Sequence, residues 1–307
     1  MTQTSHSARR QRRPARAPVA AWLRVAAAVL AFALGAGAAQ AARIGVLSNR
    51  YFSQAAADFN AQLTGHTFTG VDVSAGAPTL ASLTAAYDVL LVFADTPQRP
   101  LATAPAVGDV VAAFANTGRA VVLGTFYDQE RSDAGGNGWG ALESLDPNTT
   151  DGIGVPSPNG QPRTLDAATV VGHPLTRLVG TLSATQWAGG NEAKPGTIVV
   201  ARWREPNARG NSDPAIAYRI TGKACVAQVG IAPHYASLGS YGVQFGGDFY
   251  RTWQNAFDYA AVGCRPRSVG DAGAQPVPTL SELALAALAL ALAGLALIER
   301  RRIAARR

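Results

Sequence analysis

The octapeptide DVLLVFAD at residues 88–95 constrains the fold more than any other stretch, because six apolar residues run through it without a polar interruption. A strand covered on one face alternates apolar with polar, whereas a strand covered on both faces reads as a continuous apolar run. The segment is therefore expected to be a central strand with helices above and below it. Its neighbours agree. ARIGVLS at residues 42–48 is another buried run, TFTGVDV at 67–73 alternates, and AVVLGTF at 120–126 repeats the buried pattern. Between them, Phe52, Ala55, Ala56, Phe59 and Leu63 recur at the spacing of an amphipathic helix, and Val107, Val110, Val111 and Phe114 mark another that Gly118 closes. Strands and helices alternating over short connections predict an α/β domain on a mostly parallel sheet flanked by helices.

Residues 127–165 break this rhythm. They are rich in Gly, Pro, Asn and Asp, and read as a long loop or subdomain hanging from the sheet. Three further strand runs follow, GTIVVARW at 196–203, PAIAYRI at 214–220 and ACVAQVGI at 224–231. Phe249, Trp253, Ala256, Phe257 and Ala260 then form a helical stripe suited to docking on the sheet, with Asp248 placed to cap it. The domain is expected to span residues 42–264, and the Pro/Gly-rich residues 265–276 form a linker.

The chain has 307 residues and a formal charge of +7, but that charge does not describe the domain. Arg9, Arg10, Arg12, Arg13, Arg16 and Arg24 place +6 before residue 42. Arg300, Arg301, Arg302, Arg306 and Arg307, set against Glu299, place +4 after residue 298. Residues 42–298 are left at −3, which excludes a domain-wide basic footprint for nucleic acid. The basic segment ARRQRRPAR, the apolar residues 25–38 and the small-x-small triplet Ala39-Gln40-Ala41 together read as a signal peptide over residues 1–41, cut by signal peptidase. Arg9-Arg10 is not a twin-arginine signal, since Gln11, Arg12 and Arg13 stand where hydrophobic residues belong. The only two cysteines, Cys225 and Cys264, lie in the exported part, where a disulfide is expected. A catalytic thiol would need a base and an activating environment that the sequence does not show.

Residues 276–302 read PVPTLSELALAALALALAGLALIERRR. Pro278, Thr279, Leu280, Ser281 and Glu282, followed by an apolar run and an arginine cluster, resemble the IPTL-type C-terminal sorting signals of Gram-negative bacteria, relatives of PEP-CTERM signals. Two positions depart from that pattern: Val277 replaces the usual Ile, and Leu283 the usual Trp. The resemblance assigns residues 277–307 to a sorting signal. It implies export, transient retention in the inner membrane, processing by an exosortase-like enzyme, and delivery to the cell surface or extracellular matrix. A transmembrane helix over residues 283–298 would be about 24 Å long, slightly short of a bilayer core. Its arginines would stay cytoplasmic, leaving the domain in the periplasm. A plain single-pass anchor is the alternative.

The domain also resembles the class I glutamine amidotransferase-like fold, of the flavodoxin-like kind, in its strand–helix order, in GHPLTRL at residues 172–178, and in the strand–loop–helix from residue 226 to 260. That family carries a Cys nucleophile in a G-x-C-x-G elbow. The counterpart here, Gly124-Thr125-Phe126-Tyr127-Asp128, has Phe126 at the nucleophile position, so thiol chemistry is not carried over. A serine elbow is also missing, because LGSYG at residues 238–242 has Leu238 where the first Gly belongs.

No histidine stands at metal-ligand spacing to another His or Cys, so no metal is expected, and the glycine loops lack nucleotide-binding spacing, so neither is a cofactor. His173, before Pro174, reads as a turn residue. His234 follows a strand, Asp95 ends one, and Tyr127 with Asp128 follows another. Loops after parallel strands are where open α/β sheets bind ligands, so Asp95, Asp128 and His234 are the candidate catalytic residues. Tyr127, Trp139 and Trp187 are the candidate ligand-binding residues, the two tryptophans as stacking faces for a sugar, whereas Trp203 and Trp253 read as core. The expectation is a non-catalytic surface protein that binds an extracellular matrix component or glycan, or serves a structural role. The alternative is an extracellular hydrolase of esters, amides or glycans.

Overall fold

The computed structural model describes residues 41–95, 101–150, 162–185, 191–207, 210–234 and 244–265. The expected signal helix, linker and C-terminal transmembrane helix lie outside these residues, as does Trp187. Among the described residues no helix is long and apolar enough to cross a membrane.

The fold is a mixed α/β arrangement around a seven-stranded sheet. Strands β1 (Ala42–Ser48), β2 (His66–Asp72), β3 (Val89–Val92) and β4 (Ala120–Leu123) come from the first half, and β9 (Thr197–Arg202), β10 (Pro214–Thr221) and β11 (Ala224–Val229) from the second. Their order across the sheet is β2-β1-β3-β4-β11-β10-β9. The first five strands in that order are parallel, and β10 and β9 extend one side antiparallel.

The apolar run at residues 88–95 now has its physical reason. Val89, Leu91 and Phe93 pack into one core with Ala55, Phe59, Trp253 and Phe257, while Leu90, Val92 and Ala94 pack into a second with Leu83, Val107, Val111 and Phe114. Helices α1 (Phe52–Gln62) and α4 (Phe249–Ala261) thus cover one face, and α2 (Leu80–Ala86) and α3 (Ala104–Asn116) cover the other. At Gly45 of β1 an added Cβ would stand 2.8 Å from the Tyr87 ring, so this strand position must be bare.

Three features differ from the sequence reading. Helix α2 went unread, although Thr79 announces it by accepting a hydrogen bond from the Ser82 amide in N-cap fashion. Asp248 stands at the cap position of α4 but does not cap it. Its carboxylate instead accepts from the amides of Gly180 and Thr181 at 2.8 and 2.9 Å, tying that loop to the helix start. The third difference is the segment after β4, which is ordered by three 3-10 turns, Tyr127–Gln129, Ser132–Ala134 and Gly140–Ser144. Beyond it, β5 (Asn148–Thr150) pairs with β8 (Asn191–Ala193), and β6 (Arg163–Thr164), β7 (Leu182–Ala184) and β12 (Phe245–Gly247) form a small antiparallel sheet.

Buried charge anchors this segment. The Asp146 carboxylate, fully buried, receives Arg131 and Lys194 and the Tyr127 hydroxyl, the last at 2.8 Å. Burial pushes Asp146 up to about 6 although both cations pull the other way. Glu130, also buried, accepts from the Leu101 amide at 2.6 Å and from Asn137 at 3.2 Å. Cys225 and Cys264 are joined in a disulfide with Cα atoms 6.0 Å apart, which ties the start of β11 to the chain just past α4. Closing that loop is worth about 3–4 kcal/mol on the chain-entropy account.

Gly108 is where α3 touches this segment. A Cβ there would lie 1.8 Å from the Trp139 carbonyl oxygen. Gly→Ala inside a helix ordinarily stabilises by up to about 1 kcal/mol. Gly108→Ala is expected to reverse that sign and cost about 1–3 kcal/mol or more, because the Trp139 backbone must move. Urea unfolding of the two proteins checks this.

Candidate functional site

The chain leaves β1 for β2 on one side and returns to β3 on the other. The region beyond the carboxyl ends of two strands where the order reverses, here β1 and β3, is the usual place for a ligand in an open α/β sheet. Four connections meet along this edge: residues 48–51 after β1, 93–95 after β3, 124–128 after β4 and 230–234 after β11.

The first two are knotted together. Asn49 accepts the Asp95 amide at 2.8 Å, and Arg50 pairs with the Asp95 carboxylate at 3.0 Å. The Arg50 guanidinium lies 4.5 Å from the centroid of the Tyr51 ring. Tyr51 in turn stacks on His234 at 5.0 Å and 8°, and His234 stacks on Phe93 at 5.0 Å and 15°. The result is a column of guanidinium, phenol, imidazole and phenyl rising from the core to a partly exposed cation. Tyr51 adopts a left-handed backbone with φ of 59°, a conformation that costs a non-glycine residue of order 1 kcal/mol or more and that the column offsets.

His234 is fully buried, and neither ring nitrogen has a hydrogen-bond partner among the described residues. Burial, helped by the nearby Arg50 charge, pushes it down to about 3, so the ring is neutral across the physiological range.

On the other face of the sheet the chemistry differs. Gln228 of β11 lies in register with Leu123, which faces the second core, and donates to Asp128 Oδ1 at 2.7 Å. Asp128 Oδ2, Gln228 Oε1 and the Thr125 hydroxyl are buried without partners among the described residues. Burial raises the Asp128 carboxyl above its ordinary value, against the pull of Arg131 and Gln228.

The three candidate catalytic residues thus reach one edge without forming a relay. Asp95 is held by Arg50 and Asn49 and Asp128 by Gln228, while His234 is stacked between rings. His234 packs on the face of Phe93 and Asp128 on the face of Leu123, so the sheet stands between them. Tyr127 and Trp139, the candidate ligand-binding residues, stack on each other at 4.9 Å, fully buried, with the Trp139 indole donating to the Tyr127 carbonyl at 2.9 Å. Trp203 and Trp253 are fully buried as expected of core. His173 caps the turn Pro174–Thr176, accepting from the Leu175 amide at 3.2 Å. Sequence reading missed Arg50, Tyr51 and Gln228. SNRY directly after a buried strand was the available signal for the first two, whereas nothing local marks Gln228. Among the described residues no group of three or more His, Cys, Asp or Glu side chains is placed to hold a metal ion.

Residues 275–302 match the IPTL-CTERM motif, which points to an exported protein, is consistent with membrane anchoring and implies processing by an exosortase-like enzyme. No curated protein matches the chain at a significant level. Among solved structures, the chain is similar to the cytoplasmic protein STM1381 from Salmonella typhimurium LT2, with 13% identity and a TM-score of 0.52 over 70% of this chain and 97% of that one. It is more distantly similar to a β-galactosidase from Bacillus circulans sp. alkalophilus (13% identity, TM-score 0.43, 73% of this chain and 32% of that one). A carbohydrate deacetylase, Agd3, is at a like distance (15%, 0.41, 73% and 33%). The first likeness speaks to the fold alone.

The buried neutral His234 has a consequence for acid stability. Its folded value lies below the unfolded one, near 6.5, so between pH 6.5 and 3 the unfolded chain binds the extra proton. Stability is present above pH 6.5 and is expected to fall through that window, by up to about 4–5 kcal/mol from this one group. His234→Phe keeps the column without a titrating ring and is expected to flatten the fall, as thermal unfolding at pH 7, 5.5 and 4 will show.

Proposed function

We propose that this is an exported protein, sorted to the cell surface or extracellular matrix, whose α/β body binds a matrix component without transforming it. In this reading residues 1–41 are removed by signal peptidase, and residues 283–298 hold the protein briefly in the inner membrane. The exosortase-like enzyme then acts at the motif containing Pro278–Glu282. The β2-β1-β3-β4-β11 strand order supports a flavodoxin-like arrangement. The place of Phe126 after β4 supports kinship with glutamine amidotransferase-like domains that have lost the nucleophile.

The observation that carries the binding reading is the carboxyl edge of the sheet. Asp128 Oδ2, Gln228 Oε1 and the Thr125 hydroxyl keep unspent hydrogen-bonding capacity there, across the sheet from the column topped by Arg50. Buried polar atoms are costly unless something satisfies them, and sugar hydroxyls are donors of the right kind. Among the described residues no hydroxyl or thiol is hydrogen-bonded to His234, and a ring held near pH 3 is a poor base at neutral pH.

The test pairs binding with turnover. The exported protein is expected to bind isolated matrix polysaccharide saturably, with affinity reduced about tenfold or more by Asp128→Asn. Ester, amide and glycoside substrates are expected to give no turnover above background. Hydrolysis abolished by both His234→Ala and Asp128→Ala would establish the hydrolase reading instead.

A further inference from the structure

The opposite, amino edge of the sheet carries a separate arrangement around Ala42, the residue that follows the Ala39-Gln40-Ala41 triplet. Ala42 opens β1 and lies in register with His66, which opens β2. Its backbone nitrogen donates to His66 Nδ1 at 3.3 Å, and His66 Nε2 lies 2.9 Å from Asp258 of α4. Since Nδ1 accepts, the ring proton is on Nε2 and faces the carboxylate. Gln254, one turn earlier on α4, fixes the same group: it donates to Asp258 at 3.0 Å and exchanges hydrogen bonds with the Thr64 backbone at 3.0 and 3.1 Å. The His66 side chain is only 5% exposed, so the relay is built into the fold.

We infer that the α-amine of the mature chain is seated on this His66–Asp258 pair, so that removal of the signal peptide adds an electrostatic clasp at the start of β1. The inference rests on residues 1–41 being a cleaved signal. Hydrolysis adds water across the Ala41–Ala42 peptide bond: Ala41 departs as a carboxylate, and Ala42 keeps its nitrogen as a primary amine that takes up a proton. The resulting ammonium has three donors where the amide had one. One of them retains the bond to Nδ1. The others open onto a cavity of about 250 Å³ lined by Ala42, Asp88, Arg119, Ala260 and Gly263, and by Ala41 until it leaves.

The charged groups around the nitrogen are of both signs. Asp88 accepts the Arg43 amide at 2.9 Å and the Arg43 guanidinium at 2.9 and 3.1 Å, so its charge is already matched. Arg119 is directed to the Thr84 carbonyl at 2.9 Å and lies against the Phe114 ring. Asp258 accepts from His66 Nε2 and is the carboxylate that reaches the terminus, through the imidazole. A proton on the α-amine is therefore favoured, and the free base that reacts with acylating reagents is depleted.

The experiment uses the exported protein, whose first residue is read by mass spectrometry, followed by acetic anhydride labelling at pH 7.5. The acylation rate of the α-amine is measured against that of the exposed Lys223 in the native protein, Asp258→Asn and His66→Phe. Asp258 is half-exposed, so its substitution is not expected to unfold the domain. Ala42 is expected as the first residue, with the α-amine reacting several-fold to about tenfold faster in both variants and Lys223 unchanged. A different first residue rules out cleavage after Ala41 and the clasp with it. Ala42 in first place with equal rates in all three proteins overturns the clasp alone.

Discussion

The structure depends on the double burial of β3. A strand whose side chains are apolar to both sides can exist only where helices cover both faces of the sheet, and β1, β4 and β11 share that condition. Once the centre is fixed in this way, the strand ends alone are free to carry polar chemistry, and the two ends differ. At the carboxyl edge, Thr125, Asp128 and Gln228 keep unmet hydrogen-bonding capacity where β4 and β11 end. The amino edge holds the closures instead: the disulfide between Cys225 and Cys264, the Arg43–Asp88 pair and the His66–Asp258 pair.

Charge within the body is used sparingly and internally. Asp146 takes two cations and a phenol where water cannot reach, and Glu130 saturates its carboxylate on backbone and amide donors. Buried ions of this sort contribute little net stability, but removing one partner strands the other, so they fix geometry. They explain how a glycine-rich segment after β4 holds one path against α3, and why Tyr127 and Trp139 face inward.

The sequence made the sheet legible wherever burial was two-sided or strictly periodic: β1, β3, β4, β10 and β11 lie where their runs predicted, as do α1, α3 and α4. It was silent where local pattern is weak. Leu80–Ala86 has only Leu83 buried, too few positions for a stripe, so α2 escaped notice. The small sheets rest on strands of two or three residues, below what alternation can reveal. For the site, residues following strands were a sound guide to the edge, since Asp95, Asp128 and His234 all lie there. Which face each side chain takes depends on strand register, which no short motif encodes, and so the sheet separating His234 from Asp128 could not be read in advance. Gln228 illustrates the same limit: in sequence it is one polar residue in an apolar strand, and only pairing with Leu123 sends it to Asp128.

In the proposed function, ligand recognition belongs to the carboxyl edge of the sheet and closure to the amino edge. Amide chemical-shift mapping of the isotope-labelled exported protein, titrated with matrix polysaccharide fragments, tests it most directly. Shifts are expected at Arg50, Tyr51, Asp95, Thr125, Asp128 and His234, with Arg43, His66 and Arg119 unmoved. Shifts centred on the amino-edge residues would contradict it.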